Sequence, residues 1–504
     1  MSGSTSTWTA ATGVAFPAAR GGGGASAASG RSKDQGGGGT SDFARAVLST
    51  ALAGVDTGTQ HAVLDESAWR SGYLRHFRTL TELSLRSPQD AVRIAGQGLE
   101  AVAEQMRWID VGSGAQRPLS QLTPSRGSYR VMEVGGGTVP LGEFRLPHRG
   151  RLLGENDLDR QLTDWVTRGV LEPSAAQAVR TVANHPEWLS LPGMTLVALG
   201  AGSEIGPAPT LLRWGARVAA IDLPRPELWQ RVIRQAESAA GTMVIPVVPG
   251  AAPAVERAGL DLLTELDVAA AWVDSLPGAL VLGNYLYADG GTHVRLSAAA
   301  DAMLQMVRGR RHDVTPAFLA TPTDVFAVPG ADVDHANSEW YKREGRLRVR
   351  SMRAVSAGRL LRRAYPPGAD PGICDSLVAQ QGPNYALAKR LQRWRADVEH
   401  AAGHQVSLNV APPTRTRSVV RNRALSAAYA GAHRFGVEVF SPSTTRVLMA
   451  ALLVHDLYAE PRTFAAPWQA EAHAAVHGGL WTAPYEPRSA LGLSALLGIG
   501  GGRQ

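Results

Sequence analysis

Short apolar runs rich in β-branched residues alternate with helical patterns from about Pro192 onward. The strand-like runs lie at 194–199, 217–221, 243–248 and 279–282, and the helical patterns between them lie at 208–214, 226–239 and 260–276. This repeated β-α-β order predicts an α/β fold, in which helices cover both faces of a doubly wound parallel sheet. The chain has 504 residues, of which 44% are hydrophobic and 19% charged, and this is enough apolar material for a large core.

The sequence before the α/β region predicts two further regions. Residues 1–40 are mostly Ser, Thr, Ala and Gly, with glycine runs at 21–24 and 36–39, which is typical of a disordered tail. Residues 41–190 predict a mainly helical region, with two to four helices before residue 108 and two more within 156–183. A strand pair is predicted at 129–134 and 142–146. The α/β region then occupies 191–504, with an insertion at about 324–383.

The composition of the tail bears on the cellular location of the protein. No acidic residue precedes Asp34, whereas Arg20, Arg31 and Lys33 are basic. This is the composition of a transit peptide for a plastid or mitochondrion, and it is equally that of a flexible leader on a cytoplasmic protein. A cytoplasmic location is the first expectation, and an organelle remains the alternative.

Composition also excludes several classes of partner. The net charge is +7, but the basic residues are scattered, so nucleic-acid binding is not expected. The longest apolar run, at 447–454, is too short to cross a membrane, so no stable membrane insertion is expected. A single cysteine, Cys374, excludes an internal disulfide, and the histidines show no ligand spacing beyond His400 and His404, so no metal is predicted. A homo-oligomer remains open.

A glycine-rich turn follows the first strand of the α/β region, as strand, turn and helix start. Glycines allow a tight bend and close approach of the backbone to a ligand phosphate. Asp222, at the tip of the next strand, follows at the usual distance of about 20 residues for an acid that binds an adenosine ribose. The predicted cofactor-binding residues of this Rossmann-like unit are Gly200, Gly202, Ser203, Ile205, Gly206 and Asp222.

Asp222 predicts NAD as the cofactor, because its charge would repel the 2′-phosphate of NADP. Arg225, three residues later, could offset that repulsion, so NADP remains open. A purely structural interpretation is also available, in which the glycines make a tight turn and Asp222 caps the next helix. A methyltransferase that binds S-adenosylmethionine could use the same turn and the same acid.

Tyr385 and Lys389 lie one helical turn apart, just before the last predicted strand of the sheet. Residues at i and i+4 share a helix face. In that geometry the ammonium of Lys389 could lower the pKa of the phenol and hold a nicotinamide ribose, so that Tyr385 exchanges a proton with a substrate oxygen.

These patterns resemble the short-chain dehydrogenase/reductase superfamily over about 192–418. Residues 196–223 resemble the first β-α-β unit, 267–287 the fourth helix and strand, 318–323 the fifth strand and 406–416 the sixth. The resemblance implies an NAD(P)-dependent oxidoreductase that acts on a carbonyl or secondary alcohol of a small molecule. It implies that Tyr385 and Lys389 are the catalytic pair, that Asn284 stands at the end of the fourth strand, and that Thr414 contacts the nicotinamide amide.

The chain departs from the family pattern at four places, and the first is Leu199, where the family has a threonine before its first glycine. Glu204 stands where the family has its middle glycine, and Pro413 replaces a loop glycine. The family serine that binds the reacting carbonyl is not at its usual distance before Tyr385, so Thr321, Thr323 or Ser376 is expected to replace it, with Thr321 as the first candidate. These departures leave two alternatives to the dehydrogenase: the methyltransferase, and a non-catalytic Rossmann-like scaffold.

Overall fold

The computed structural model describes residues 12–17, 39–136, 139 and 141–499. In these residues the helices are α1 (Thr40–Ala51), α2 (Thr57–Leu64), α3 (Trp69–Ser84), α4 (Pro88–Gln105), α5 (Glu155–Thr167), α6 (Pro173–Ala183), α7 (Ala208–Arg213), α8 (Pro226–Glu237), α9 (Ala254–Arg257), α10 (Leu266–Asp274), α11 (Gly291–Arg308), α12 (Gly330–Glu344), α13 (Leu347–Val355), α14 (Pro383–Ala401), α15 (Arg417–Arg421), α16 (Arg423–Gly431), α17 (Pro442–Tyr458), α18 (Pro467–Ala472) and α19 (Pro487–Gly498). The strands are β1 (Gly13–Ala15), β2 (Arg107–Ile109), β3 (Gln116–Pro118), β4 (Arg130–Gly135), β5 (Leu146–His148), β6 (Arg151–Leu153), β7 (Met194–Leu199), β8 (Arg217–Ile221), β9 (Thr242–Val247), β10 (Ala279–Asn284), β11 (Val314–Ala320), β12 (Val325–Val328), β13 (Gly372–Asp375) and β14 (Ser407–Val410).

Seven strands form the main sheet, in the order β14-β11-β10-β7-β8-β9-β4. Six of them are parallel, and only β4 runs antiparallel, beside β9. If the parallel strands are numbered along the chain from β7, their spatial order from β9 to β14 is 3-2-1-4-5-6. The predicted α/β class and the mostly parallel sheet are therefore confirmed.

Helices pack on both faces of this sheet, because the side chains of its buried strands alternate between two cores. Val197 and Leu199 of β7 face the core that contains α4, α11 and α14. Leu196 and Ala198 face the second core, which contains α6, α7 and α17. The N-terminal helices α1, α3 and α4 belong to the first core, where α4 packs on α14. The helical region thus shares its hydrophobic core with the sheet.

The structure corrects two details of the sequence interpretation before residue 191. The predicted tail 1–40 contains a strand, because Val14 in β1 is fully buried and β1 pairs with β2; 1–11 and 18–38 lie outside the described residues. The strand pair predicted at 129–134 and 142–146 does not form. Instead, β4 pairs with β9 of the main sheet and β5 pairs with β6. The pairing was wrong because a glycine-rich link predicts a local hairpin, whereas β9 offers a free edge.

The insertion at about 324–383 contains the antiparallel pair β12 and β13 together with α12 and α13. The pair lies against α18 and α3 and buries Phe326 and Cys374. The arginine-rich α13 has no buried residue. Across the described ranges, no helix is both long enough and apolar enough to span a lipid bilayer.

Candidate functional site

The predicted site residues gather at one edge of the main sheet. Gly200, Asp222 and Thr321 directly follow β7, β8 and β11, and Asn284 is the last residue of β10. The register places Leu199 beside both Asn284 and Ile221. Since parallel strands end at the same edge, these residues lie along the edge where the strand order reverses between β7 and β10.

The glycine turn has a conformation that its sequence requires. Gly200 has φ of +79°, and a Cβ atom there would lie 3.0 Å from the carbonyl oxygen of Tyr285. The amide of Gly206 donates to Oγ of Ser203 at 3.2 Å, which closes the turn, and Ile205 packs against the core next to α7. Helix α7 begins only at Ala208 and carries proline in its first turn. It therefore offers few free amides to a phosphate.

Asp222 is anchored to the glycine turn. One carboxylate oxygen accepts from the amide of Gly202 and the other accepts from the amide of Leu223, both at 2.8 Å. Burial raises the pKa of Asp222, while these two hydrogen bonds and the nearby Arg225 lower it. A carboxylate has about four acceptor positions. Two amide bonds fix its orientation and leave acceptor capacity for a ligand hydroxyl.

Glu204 does not point a free charge into the turn. Its carboxylate accepts from the amide of Arg417 at 2.7 Å and lies 3.0 Å from the Arg417 side chain. Two further arginines, Arg213 and Arg446, are close enough to influence each other, and burial lowers the pKa of both. Within the described ranges neither has a carboxylate partner. Their only side-chain hydrogen bonds are long, at 3.5 Å. The surroundings of the turn are therefore cationic.

Tyr385 reaches the edge of the sheet from the first turn of α14. Its phenol oxygen lies 2.8 Å from Oγ1 of Thr321. Of the three candidates for the serine position, Thr321 is thus the one that contacts Tyr385. Thr323 accepts a hydrogen bond from Gln381 at 2.8 Å, and the Ser376 hydroxyl donates to the backbone oxygens of Pro322 and Asp324.

Lys389 is buried beneath the tyrosine, one turn later in α14. Its Nζ donates to the carbonyl oxygen of Leu319 at 3.1 Å and to the side chain of Gln392 at 3.3 Å. Burial lowers the pKa of Lys389 to about 8. The pKa of Tyr385 is raised, because burial outweighs the hydrogen bond from Thr321. The raised pKa of Tyr385 comes from burial, and the expected lowering of the phenol pKa by the Lys389 ammonium stays a prediction.

The two remaining predicted residues, Asn284 and Thr414, form hydrogen bonds with other protein groups. Oδ1 of Asn284 accepts from the amide of Leu286 at 3.3 Å, so the side chain braces the backbone beside Gly200. The hydroxyl of Thr414 lies 2.7 Å from both the carbonyl oxygen of Pro412 and the hydroxyl of Thr445. Thr414 is buried, and its hydroxyl is engaged with protein groups.

Two aromatic side chains beside Tyr385 were missed in the sequence. The rings of Tyr287 and His293 contact each other and contact the ring of Tyr385, with centroids 5.3 to 6.4 Å apart. His293 is 1% exposed, and neither ring nitrogen has a geometrically sound hydrogen bond in the described part of the chain. Burial and the nearby Lys389 lower its pKa to about 3. In the sequence, only the glycines Gly290 and Gly291, which lie between Tyr287 and His293, mark this segment as unusual.

An apolar cavity of about 100 Å³ lies near Thr323, and none of Tyr287, His293 and Tyr385 is among its lining residues. Its walls come from α16, α19 and the segment around Val437, and Thr323 and Tyr429 form part of its lining. Tyr429 is also near enough to Tyr385 to affect the pKa of that phenol. Tyr485, in the C-terminal segment, completes the wall. Tyr429 therefore links the apolar cavity to the surroundings of the phenol, whereas Tyr385 itself does not line the cavity.

Comparison with known proteins gives no relative for this arrangement. No protein-family model matches the chain, and neither the curated proteins nor the solved structures contain a significant match.

Proposed function

We propose that the chain is an NAD(P)-dependent oxidoreductase of short-chain dehydrogenase type, which acts on a carbonyl or secondary alcohol. The observation that carries this proposal is the contact between Tyr385 and Thr321 at 2.8 Å, at the edge of the sheet where the glycine turn also ends. A phenol and a hydroxyl that share a hydrogen bond can together hold one substrate oxygen.

The strand order supports a doubly wound, Rossmann-like interpretation of the fold. The order 3-2-1-4-5-6 from β9 to β14 is the arrangement that binds dinucleotides across the crevice where the order reverses. Gly200 and Asn284 flank this crevice. The same placement supports an oxidoreductase over a methyltransferase, which would not need Tyr385 at this edge.

The residues present fit a dinucleotide, with one change from the usual arrangement. Asp222 keeps acceptor capacity for the two hydroxyls of an adenosine ribose. The late start of α7 removes amides that usually bind the pyrophosphate. Arg213 and Arg446, beside Glu204 and without carboxylate partners in the described ranges, could supply positive charge in their place. NAD is the expected cofactor because Asp222 opposes a 2′-phosphate, while Arg225 leaves NADP open.

In the proposed reaction the bound dinucleotide would supply or accept the hydride. Tyr385 would donate a proton to the carbonyl oxygen, since its raised pKa keeps the phenol protonated at neutral pH. Thr321 would orient the phenol and the substrate oxygen. Lys389 would hold positive charge below them, within hydrogen-bonding reach of the Leu319 carbonyl.

The cavity supports a substrate with an apolar portion. The described lining is dominated by aliphatic and aromatic side chains, and Thr323, Ser376 and Tyr429 supply hydroxyl groups. Apolar surface in such a site favours burial of a hydrocarbon chain or ring, at about 25 cal/mol per Å². We therefore propose apolar ketones or aldehydes as the first substrates to screen.

Tyr385→Phe tests the proposed role directly. The change removes the proton donor and leaves the ring contacts, so turnover should fall by about 10²- to 10⁴-fold with cofactor affinity nearly unchanged. Thr321→Ala should reduce turnover, whereas Thr321→Ser keeps the hydroxyl and should retain most of it. Steady-state kinetics and a cofactor titration measure both. Full activity in the phenylalanine variant would reject the mechanism.

A non-catalytic scaffold is the second candidate, and the closed glycine turn favours it. The amide of Gly202 is already bound to Asp222, and Glu204 is bound to Arg417, so the turn is complete without a ligand. The cofactor titration separates the candidates. Binding of NAD(H) or NADP(H) supports the oxidoreductase, binding of S-adenosylmethionine alone supports the methyltransferase, and no cofactor binding supports the scaffold.

A further inference from the structure

Three side chains from distant parts of the sequence meet in the interior of the protein. Glu172 is the residue just before α6, Asp332 lies in the first turn of α12, and His477 lies in the loop after α18. All three are buried, with exposed fractions of 8%, 7% and 0%. One nitrogen or oxygen from each side chain lies within 4.8 Å of the other two.

The hydrogen bonds of this cluster are incomplete. Nε2 of His477 lies 3.2 Å from Oε1 of Glu172, and Nδ1 accepts from the amide of Gly479 at 3.2 Å. Oδ2 of Asp332 is buried and has no hydrogen-bond partner among the residues that the structure describes. In those residues no lysine or arginine pairs with either carboxyl group, and the only ion-pair contact is with His477.

Two buried carboxyl groups without a cation are costly for the fold. Burial raises the pKa of Glu172 and raises the pKa of Asp332 to about 8, while it lowers the pKa of His477 to about 4. Two carboxyl groups and one imidazole thus share a buried space in which Oδ2 of Asp332 has no hydrogen-bond partner among the described residues. A divalent cation would compensate both carboxylates and would give the free Oδ2 of Asp332 a partner.

We propose that Glu172, Asp332 and His477 bind one divalent transition-metal ion, with Zn²⁺ as the best fit. Two carboxylate oxygens and one imidazole nitrogen form a ligand set that suits Zn²⁺ and suits Mg²⁺ poorly. The ion would join α6, the insertion and the C-terminal segment, which are otherwise far apart in sequence. No metal motif is visible in the sequence, because the three ligands lie on three separate segments.

Metal binding would require small local changes. Zinc ligands lie about 2.0–2.2 Å from the ion, so the three ligand atoms would move closer together. The single imidazole proton of His477 would move from Nε2 to Nδ1, which frees Nε2 to bind the ion and removes the hydrogen bond from the Gly479 amide. His335 is one helical turn beyond Asp332 and half-buried, which makes it a candidate for a fourth ligand.

The first experiment measures the metal content and melting temperature of the purified full chain. The protein is treated with chelator, supplied with Zn²⁺, Mn²⁺ or Mg²⁺, and desalted. We expect one retained equivalent of Zn²⁺ and a higher melting temperature, both lost in Asp332→Asn and His477→Gln. The matched control is His76→Gln, which alters a buried histidine that contacts one carboxylate, Glu66, at 3.3 Å. The control should bind zinc as the unaltered chain does.

A second measurement separates a metal site from two carboxyl groups that share a proton. Without metal, Asp332→Asn should not lower the melting temperature, because the Oδ2 atom that it replaces has no hydrogen-bond partner among the described residues. With Zn²⁺ present, the same variant should melt below the unaltered chain. Failure of the unaltered chain to retain zinc, equal retention by Asp332→Asn, or stabilisation by that variant in both conditions would each overturn the proposal. None of these results depends on oxidoreductase activity.

Discussion

At the scale of single residues, burial sets the protonation states of the proposed catalytic groups. Tyr385 and Lys389 share a helix face, yet Nζ of Lys389 bonds to Leu319 and Gln392 and makes no hydrogen bond to the phenol. Burial favours the neutral form of both groups, so it raises the pKa of the Tyr385 phenol and lowers the pKa of the Lys389 amine. Neutral Tyr385 with charged Lys389 is therefore the state expected at or just below pH 7.

The pKa of Lys389 can be measured directly. The chain has only three lysines, so the side-chain NMR signals of a lysine-labelled sample are few enough to resolve. We expect the Lys389 signal to titrate at about pH 8. If the ammonium supports turnover, kcat/KM should fall as pH rises through the same value. Lys342→Arg removes an exposed lysine and assigns the signals. A Lys389 signal that is still fully charged at pH 9.5, about 1.5 units higher, would contradict this prediction.

Asp222 supports both the turn and the proposed cofactor. Asp222→Ala leaves the amides of Gly202 and Leu223 without their acceptor, so the free energy of unfolding should fall by about 1–3 kcal/mol. The same change should weaken NAD(H) binding and relax its preference over NADP(H). Denaturant unfolding and cofactor titration measure the two effects. Unchanged affinity for both cofactors would show that Asp222 does not contact the ribose.

At the scale of elements, the position of α14 depends on a close approach to α4. A Cβ atom on Gly98 of α4 would lie 2.2 Å from the indole of Trp394 in α14. Gly98→Ala should therefore force the helices apart and cost about 1–3 kcal/mol through overpacking. Gly96, in the same helix, has no atom within 4 Å of such a Cβ, so Gly96→Ala should stabilise by up to about 1 kcal/mol. Equal effects in urea unfolding would show that α4 and α14 can separate freely.

The short strand β1 should contribute to stability in spite of its position near the start of the chain. Val14 is fully buried, its amide donates to Leu263, and its carbonyl accepts from Arg295. Removal of residues 1–17 should lower the free energy of unfolding by about 2–4 kcal/mol, from lost burial and hydrogen bonds. Removal of 1–11 alone leaves β1 in place and is the control. Equal stability of the two truncated chains would show that β1 does not stabilise the fold.

The positions of the strands could be predicted from the sequence better than the pairing between them. The strands that became β7, β8, β9 and β10 were placed within one or two residues, because buried parallel strands produce short apolar runs with clear ends. The partner of β4 could not be predicted, since β9 is over a hundred residues away. The same limit applies to the site. The glycine turn is local and was found, whereas His293 and the cluster around Asp332 depend on contacts that only the folded chain creates.

At the scale of the whole molecule, one buried ionic network joins the parts of the chain around α14. Arg393 donates to Asp324 at the start of the insertion at 2.8 Å, and it donates to Glu471 of α18 at 2.5 and 2.7 Å. Arg393 and Asp324 are each 2% exposed. Arg390 lies 3.4 Å from the same aspartate. The network thus fixes the insertion and the C-terminal segment relative to the helix that carries Tyr385.

Removal of Arg393 should destabilise the whole chain in a pH-dependent way. Arg393→Met leaves Asp324 and Glu471 buried with less compensating charge, which typically costs about 3–5 kcal/mol. In the unaltered chain, Arg393 and Arg390 hold the pKa of Asp324 below its usual value, so this stabilisation is present near neutral pH and is lost as pH falls. In the variant the pKa values of Asp324 and Glu471 should rise instead, and protonation should relieve the penalty. The difference in unfolding free energy between the variant and the unaltered chain should therefore narrow from about pH 7.5 to about pH 5.

The control is Arg78→Met, which removes an exposed pair with Glu82 and should change the free energy of unfolding by at most about 0.5 kcal/mol at either pH. Urea unfolding at the two pH values measures the difference, and a small, pH-independent loss in Arg393→Met would show that the network does not hold these segments together.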